Sequence, residues 1–277
     1  MSDTVTTIGK SVIQHGHYND RIYLMKLSFE DIPDIIPVLD GLARNNGYTK
    51  IFAKVVGLAI NRFLKNGYVV EARIPKFYNG REDGYFLAKY LDPGRARLSG
   101  DPAIKSSLST ALKVACEARP RSLDPGYTFG LAEPSDADDI AGIYKKVFET
   151  YPFPVFDPSY ILRTMQENFK YFCIREKGKP VAVSSSEMDI KLKNVEMTDF
   201  ATLPEHRGKG LSTYLLGAME DDMRKMSMKV AYTIARAVSG PMNCTFSRSG
   251  YRYGGTLINN TNICGSFESM NVWYKSL

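Results

Sequence analysis

The sequence predicts an α/β protein of mixed sheets (α+β), with an N-terminal α/β domain over residues 1–125 and a second domain over 126–277. Three observations predict it. Short apolar segments of strand length alternate along the chain with segments of helical spacing. An apolar strand ending at Leu203 passes through a basic, glycine-containing turn directly into an amphipathic helix. A stretch rich in Pro, Gly, Ser and Arg, Asp92 to Pro125, separates two regions that each carry strands and helices.

In the first region, residues 11–28 alternate and break at His17-Tyr18-Asn19-Asp20, which predicts a hairpin. Asp31 to Asn45 reads as a helix, with Pro33 near its start and Pro37 as a kink. Lys50 to Val56 is a strand, Asn61 to Lys65 a short helix ending at Gly67, and Tyr68 to Ile74 and Gly84 to Leu91 are strands. An amphipathic piece covers Ile104 to Cys116. In the second region, Tyr127 to Ala132 is a strand and Ser135 an N-cap for a helix whose apolar face runs from Ile140 to Tyr151. Pro152, Pro154 and Pro158 interrupt it before a helix over Ser159 to Phe169. Tyr171 to Arg175 and Pro180 to Ile190 form a hairpin, and Val195 to Leu203 is the strand entering the basic turn. The helix after that turn is followed by a strand (Lys229 to Val238), a short helix opened by Pro241, and two closing strands. Phe63-Leu64-Lys65-Asn66-Gly67-Tyr68 echoes Phe246-Ser247-Arg248-Ser249-Gly250-Tyr251, and Lys89 and Lys275 follow at similar places. That echo has two readings: a duplicated domain whose first copy lacks the basic turn, or the general likeness of helix–Gly–strand joints.

Composition bounds the function. The chain has 277 residues, 44% of them apolar, and a net charge of +6; its pI is about 9.0. The basic residues are scattered, with no stripe or motif for nucleic acid. No signal peptide or long apolar run appears, so a soluble cytoplasmic protein without a membrane partner is expected. Cys116, Cys173, Cys244 and Cys264 lack Cys-x-x-Cys spacing and read as reduced thiols. His15 and His17 have no accompanying third ligand, so no metal is expected.

The turn Ala201-Thr202-Leu203-Pro204-Glu205-His206-Arg207-Gly208-Lys209-Gly210-Leu211-Ser212-Thr213 has the makings of an anion cradle. The first N–H groups of a helix lack internal partners and sit at the positive end of its dipole. Gly208 and Gly210 let the backbone approach a ligand, and Arg207 and Lys209 add charge. A phosphate or pyrophosphate is the natural guest. Neither the P-loop nor the Rossmann glycine pattern is present.

Arg207-x-x-Gly210-x-Ser212 resembles the acetyl-CoA signature of the GCN5-related N-acetyltransferase (GNAT) superfamily, with Ser in place of the last Gly or Ala. The resemblance implies a GNAT fold for the second domain. It also implies acetyl-CoA as co-substrate, with its pyrophosphate held between Arg207 and Thr213 and its thioester carbonyl met by backbone N–H groups near Thr202 and Leu203. Asn243 corresponds to an asparagine near the pantetheine, or else caps a helix. Arg248 corresponds to a basic residue near the adenosine phosphates, or else is a solvated arginine. Acetylating a lysine-like amine, pKa about 10.4, means removing a proton at a cost of ~4–5 kcal/mol at neutral pH. A carboxylate must accept it. Glu196 and Asp199 on the preceding strand are the candidates, on opposite faces by strand alternation, so that at most one meets the amine. Glu196 matches the family's basic glutamate; the alternative for each is a solvated or ion-paired carboxylate. The tyrosine that often protonates the leaving thiolate is replaced by Phe246.

The opening segment Gly9 to Leu27, the turn, and the tail Asn259 to Lys275 together resemble those family members that acetylate the terminal amine of β-lysine to make an osmolyte accumulated under salt stress. The resemblance implies a small-molecule amine partner. Candidates for binding it by residue type are Arg236, Asn259, Asn260 and Glu268. A homodimer is open. Another amine acceptor, or a non-catalytic acyl-CoA-binding regulator lacking the general acid, are the competing readings.

Overall fold

The structure, a computed structural model, describes residues 3–98, 102–115, 122–263 and 265–277. The first half runs β1 (Thr4–Ile8), β2 (Ser11–Gly16), β3 (Arg21–Lys26), α1 (Ile35–Asn46), β4 (Lys50–Val56), α2 (Ile60–Lys65), β5 (Val69–Tyr78) and β6 (Glu82–Tyr90). Helix α3 (Pro102–Lys113) connects to the second half. There β7 (Tyr127–Leu131), α4 (Ala137–Val147), α5 (Pro158–Gln166), β8 (Phe169–Glu176), β9 (Lys179–Asp189) and β10 (Asn194–Thr202) precede the basic turn. They are followed by α6 (Leu211–Lys225), β11 (Val230–Arg236), α7 (Gly240–Arg248), β12 (Arg252–Ile263) and β13 (Ser266–Ser276).

Most elements form where the apolar spacing places them. The differences have local causes. β1 is a Thr-rich, exposed edge strand without apolar alternation. Pro37 lies in the first turn of α1, where a missing N–H is tolerated, so it causes no break. Ser135 is not the cap before α4: Glu133 and Asp136 form a capping box, with the Glu133 N–H donating to the Asp136 carboxylate at 2.7 Å. Cys173 and Cys244 are buried free thiols, while Cys116 and Cys264 lie outside the described residues.

The strands form one sheet in the order β1-β2-β3-β4-β6-β5-β12-β13-β11-β10-β9-β8-β7. About the β5/β12 seam six strands mirror six, and β7 at the far edge has no counterpart. β3 and β4 are parallel, as are β10 and β11, and the remaining pairs are antiparallel. Register makes Ile51 the counterpart of Ala231, because each faces the matched lysine, Lys89 or Lys275. Each lysine then makes the same set of contacts. Lys89 bonds Asp40 of α1 and Lys275 bonds Glu220 of α6, both at 2.7 Å. Each lies over a tyrosine ring, Tyr68 or Tyr251, that meets Phe63 or Phe246 edge-on.

The seam is close and polar. Glu71 of β5 accepts from Lys50 (2.9 Å), from the Ile258 N–H (2.7 Å) and from Tyr90. Arg21 donates to the Asn260 carbonyl, and Arg95 to the Asn259 carbonyl at 2.8 Å. A shared apolar cluster, including Tyr23, Phe52, Phe77, Phe86, Tyr232 and Val272, fills one sheet face across the seam. Helix α3, which sequence composition groups with the first region, packs instead on α7: the Ser247 hydroxyl donates to the Ala111 carbonyl at 2.6 Å.

Gly255 lets β5 and β12 meet. Its φ is +145°, and a Cβ there would lie 2.1 Å from the Glu71 carbonyl oxygen. Gly255→Ala is therefore expected to cost about 2–4 kcal/mol of stability. The denaturant midpoint measures this, and an unchanged midpoint contradicts the close seam.

Candidate active site

The site begins where β10 and β11 part. They pair in parallel only over Asn194↔Val230, Val195↔Ala231 and Glu196↔Tyr232. Beyond Glu196, β10 bulges away: its register with β9 shifts between Thr198 and Ala201, and Asp199 takes a left-handed φ of +55°. Such a conformation in a non-glycine residue is sparsely populated and is held by its surroundings. Here Asp199 is nearly buried, and its carboxylate accepts from the Tyr151 and Ser185 hydroxyls, each at 2.5 Å.

Two cavities open from this divergence. One, of about 1060 Å³, is lined by Thr202, Arg207, Gly208, Gly210 to Thr213, Ala235, Arg236, Phe246 and Arg248. The other, of about 1840 Å³, lies between the halves and is lined by Tyr23, Lys54, Glu187, Glu196 and Asn260 among others. Tyr151, Thr198, Asp199, Ile234, Ile263 and Met270 border both.

The first cavity fits an anionic, elongated ligand. Gly210 is the N-cap of α6 at φ +75°, so the amides of Leu211, Ser212 and Thr213 precede the first intrahelical bond, from Tyr214 N–H to the Gly210 carbonyl (3.0 Å). Open space lies around Gly208 and Gly210. The turn is pinned from below, where Tyr127 hydroxyl bonds buried His206 at 2.9 Å and receives Lys209 at 2.6 Å. Lys209 is thereby drawn toward Tyr127 and does not line the cavity. Ala201 is buried against β9, and the Leu203 N–H donates to the Val181 carbonyl at 3.0 Å. The expectation that Leu203 N–H polarises a carbonyl is therefore corrected. Ladder alternation instead turns the backbone of Thr202 toward the β10/β11 gap.

Asn243 also departs from expectation. It is fully buried and outside the cavity lining. Its amide donates to the Arg236 and Ser239 carbonyls (2.9 and 2.8 Å), and its oxygen accepts from Asn271 and Trp273 (2.9 and 2.8 Å). These bonds tie α7 to β11 and β13, and a longer one, at 3.4 Å, reaches the Ser107 hydroxyl of α3. Arg248 does line the cavity.

In the cleft, Glu196 and Asp199 face the same space, not opposite ones. The bulge between them breaks the two-residue alternation on which the expectation rested. Glu187 of β9 stands directly opposite Glu196, and Tyr232 of β11 flanks Glu196 on the other side. Burial, and then the neighbouring Glu187 carboxylate, push Glu196 up to about 8. Burial also raises Glu187 and Asp199, the latter against its hydroxyl donors.

The proposed acceptor-binding residues are not gathered together. Arg236 lines the first cavity and forms a two-pronged ion pair with Glu268 (2.6 and 2.5 Å). The Asn259 amide donates to the Arg95 and Arg97 carbonyls (3.0 and 2.8 Å) and serves the seam. Only Asn260 borders the cleft. Sequence reading missed Tyr151, Ser185, Glu187, Tyr232 and Lys54. A visible signal was the run Ser184-Ser185-Ser186-Glu187 within an otherwise apolar strand.

Asn243→Ala is expected to destabilise the fold by about 3 kcal/mol, since it strands several buried partners. The change would appear in denaturant unfolding, and a stability loss below about 1 kcal/mol would refute the network role.

Residues 139–240 match the acetyltransferase (GNAT) family model. The chain is 44% identical to the β-lysine N6-acetyltransferase of Methanococcus maripaludis, over 99% of this chain and 98% of that protein. It is 32% identical to the N-acetyltransferase YodP of Bacillus subtilis, over 96% of each chain. It is also 41% identical to the β-lysine N6-acetyltransferase of Methanosarcina mazei, over 56% of this chain and 57% of that one. With near full-length relatives at these identities, and with the family model matched over residues 139–240, the chain belongs to the acetyltransferase (GNAT) family.

Proposed function

We propose that the protein transfers the acetyl group of acetyl-CoA to the terminal amine of β-lysine, in the cytoplasm, giving the neutral zwitterion N6-acetyl-β-lysine as an osmolyte. The observation that carries the reading is the junction of the two cavities at the β10 bulge, beside a buried carboxylate of raised pKa. The near full-length likeness to β-lysine acetyltransferases supports the choice of acceptor. No helix among the described residues is long and apolar enough to cross a membrane.

The α6 N-terminus, Gly208, Gly210 and Arg207 hold the CoA pyrophosphate, and Arg248 stands by for the adenosine phosphates. The thioester reaches the gap beside Thr202. The acceptor enters through the cleft between the halves. Its nitrogen attacks the thioester carbonyl, a C–N bond forms, the C–S bond breaks, and CoA leaves as the thiolate. Glu196 takes the proton that the ammonium must lose before it can attack, and the second nitrogen proton, released as the amide forms, goes to the departing thiolate. Asp199 is the weaker base because two hydroxyls already occupy its oxygens, and it serves to hold the bulge and Tyr151.

The pH dependence follows from the raised carboxylate. Glu196 must be unprotonated to accept a proton, so kcat/KM rises with pH through about 8. The groups facing it are Glu187 on β9, Asp199 on β10, Tyr232 on β11, and Tyr23 and Lys54 from the first half. Glu196→Gln is expected to remove that limb and lower kcat by about 10²–10⁴-fold, with acetyl-CoA binding retained. A persisting limb moves the base to Asp199 or Glu187. Arg207→Ala is expected to raise the acetyl-CoA KM several-fold at unchanged kcat, and an unaltered KM removes Arg207 from the cradle.

CoA release with β-lysine, α-lysine, ornithine, spermidine and a peptide amine tests the acceptor. Preference for β-lysine with acetylation at its terminal amine is the expected result. Preference for another amine discards that substrate, and acetyl-CoA binding without turnover on any amine favours a regulator.

We also propose that residues 1–125 hold a GNAT-like repeat without the cradle, supported by the mirrored strand order and the matched lysine contacts.

A further inference from the structure

Lys54 has no evident structural purpose. It lies on β4 within Ile51-Phe52-Ala53-Lys54-Val55-Val56. Its odd-numbered neighbours face the apolar cluster under α1 and α2, while Phe52 and Lys54 face the cleft. The register places Ile234 at the equivalent position of the second half, where an apolar side chain meets the same structural need. Burying part of a lysine is costly unless it is paired. Yet among the described residues no carboxylate lies within ion-pair distance of Lys54; its ammonium donates to the Tyr232 hydroxyl at 3.3 Å.

The other cations bordering the cleft are committed or remote. Lys26 pairs with Asp189 at 3.4 Å and Lys10 with Glu30 at 2.5 Å. Arg21 is bound to the Asn260 carbonyl and the Thr261 hydroxyl. Arg81, Arg163 and Lys191 are exposed at the rim. Opposite Lys54 stand Glu187 and Glu196, two carboxylates facing each other across adjacent strands, an arrangement that repels unless a cation joins them. The cleft thus offers two negative groups and one positive group. That pattern complements an acceptor bearing two ammonium groups and one carboxylate.

We infer that Lys54, supplied by the first half, binds the carboxylate of the acceptor and so selects a diamino acid over a plain diamine. This rests on the acetyltransferase reading above and adds the residue that recognises the acid. Against the opposing effect of burial, the neighbouring Glu187 and Glu196 carboxylates keep the ammonium protonated. The role differs from tuning Glu196, which would affect every amine alike.

The test compares β-lysine with 1,5-diaminopentane in the full-length enzyme and in Lys54→Met and Lys54→Arg. In Lys54→Met, kcat/KM for β-lysine is expected to fall about ten- to hundredfold, mainly through KM, the range for losing a charge-assisted hydrogen bond. Because the Lys54 charge holds Glu196 down, the pH limb is expected to move up for both acceptors alike, while above that limb the diamine loses far less kcat/KM than β-lysine does. Lys54→Arg is expected to restore much of the preference, which a packing role would not do. An equal loss for both acceptors above that limb, or no change for either, overturns the inference. So does a wild-type enzyme that prefers the plain diamine. If the wild type prefers a different diamino acid to β-lysine, the substrate assignment falls, and that acid with its decarboxylated diamine gives the same comparison for Lys54.

Discussion

Everything at this site depends on two neighbouring strands ceasing to pair. β10 and β11 share three residue pairs and then separate at Glu196, and the separation is held open by a single strained residue. Asp199 cannot remain at φ +55° on its own preference, since the left-handed region costs a non-glycine residue of order 1 kcal/mol or more. Tyr151 and Ser185 hold it there through its carboxylate. The same bulge frees backbone that an unbroken ladder would consume, and it turns Asp199 toward the face that Glu196 already occupies. The acceptor cleft and the cofactor slot meet because that ladder is broken.

The electrostatics follow from this geometry. Charges in a cleft walled by packed strands are screened less than on an open surface, so they interact more strongly. Glu187 and Glu196 face each other across β9 and β10, and burial raises both. A carboxylate pushed up to about 8 is closer in proton affinity to an amine than an ordinary glutamate is. The site thereby narrows the free-energy gap for moving a proton off the acceptor. The two carboxylates disfavour each other's ionisation, and on the proposed function a dicationic acceptor would relieve both.

What was legible in the sequence was chiefly what depends on near neighbours along the chain. The turn from Arg207 to Thr213 could be read because strand, glycine, basic residue and helix start are contiguous, and helix N-termini follow local rules. The helices and most strands could be read for the same reason. The acceptor side could not. Strand alternation placed Glu196 and Asp199 on opposite faces, and a one-residue bulge reversed this. Asn243 has the residue type of a ligand-binding amide, but its bonds to Trp273 and Asn271 depend on strands that come later in the chain. Arg236 and Glu268 suit a zwitterion by type, but lie across from each other on β11 and the β13 region and pair together. Asn259 and Asn260 suit an acceptor by residue type, yet their carbonyls receive Arg95 and Arg21 from the other half. Each of these misreadings concerns a contact distant in sequence.

The same long-range logic accounts for the presence of the first half. Where the second half has its basic cradle, the first has Glu30, Asp31 and Asp34 before α1, charges that repel a phosphate from that helix start. Where the second half has Glu196, register gives the first half Tyr23. On the duplication proposed above, the first half is a copy that lacks both the proposed anion site and the proposed base. What it retains is the scaffold: the lysine that bonds the first helix, the edge-on aromatic pair, and the strand face that closes on its partner. Docked through β5 and β12, that face becomes the second wall of the acceptor cleft and brings a lysine to a position where the other copy has isoleucine. One half thus carries the proposed reacting groups, and the other supplies the opposing wall of the cleft.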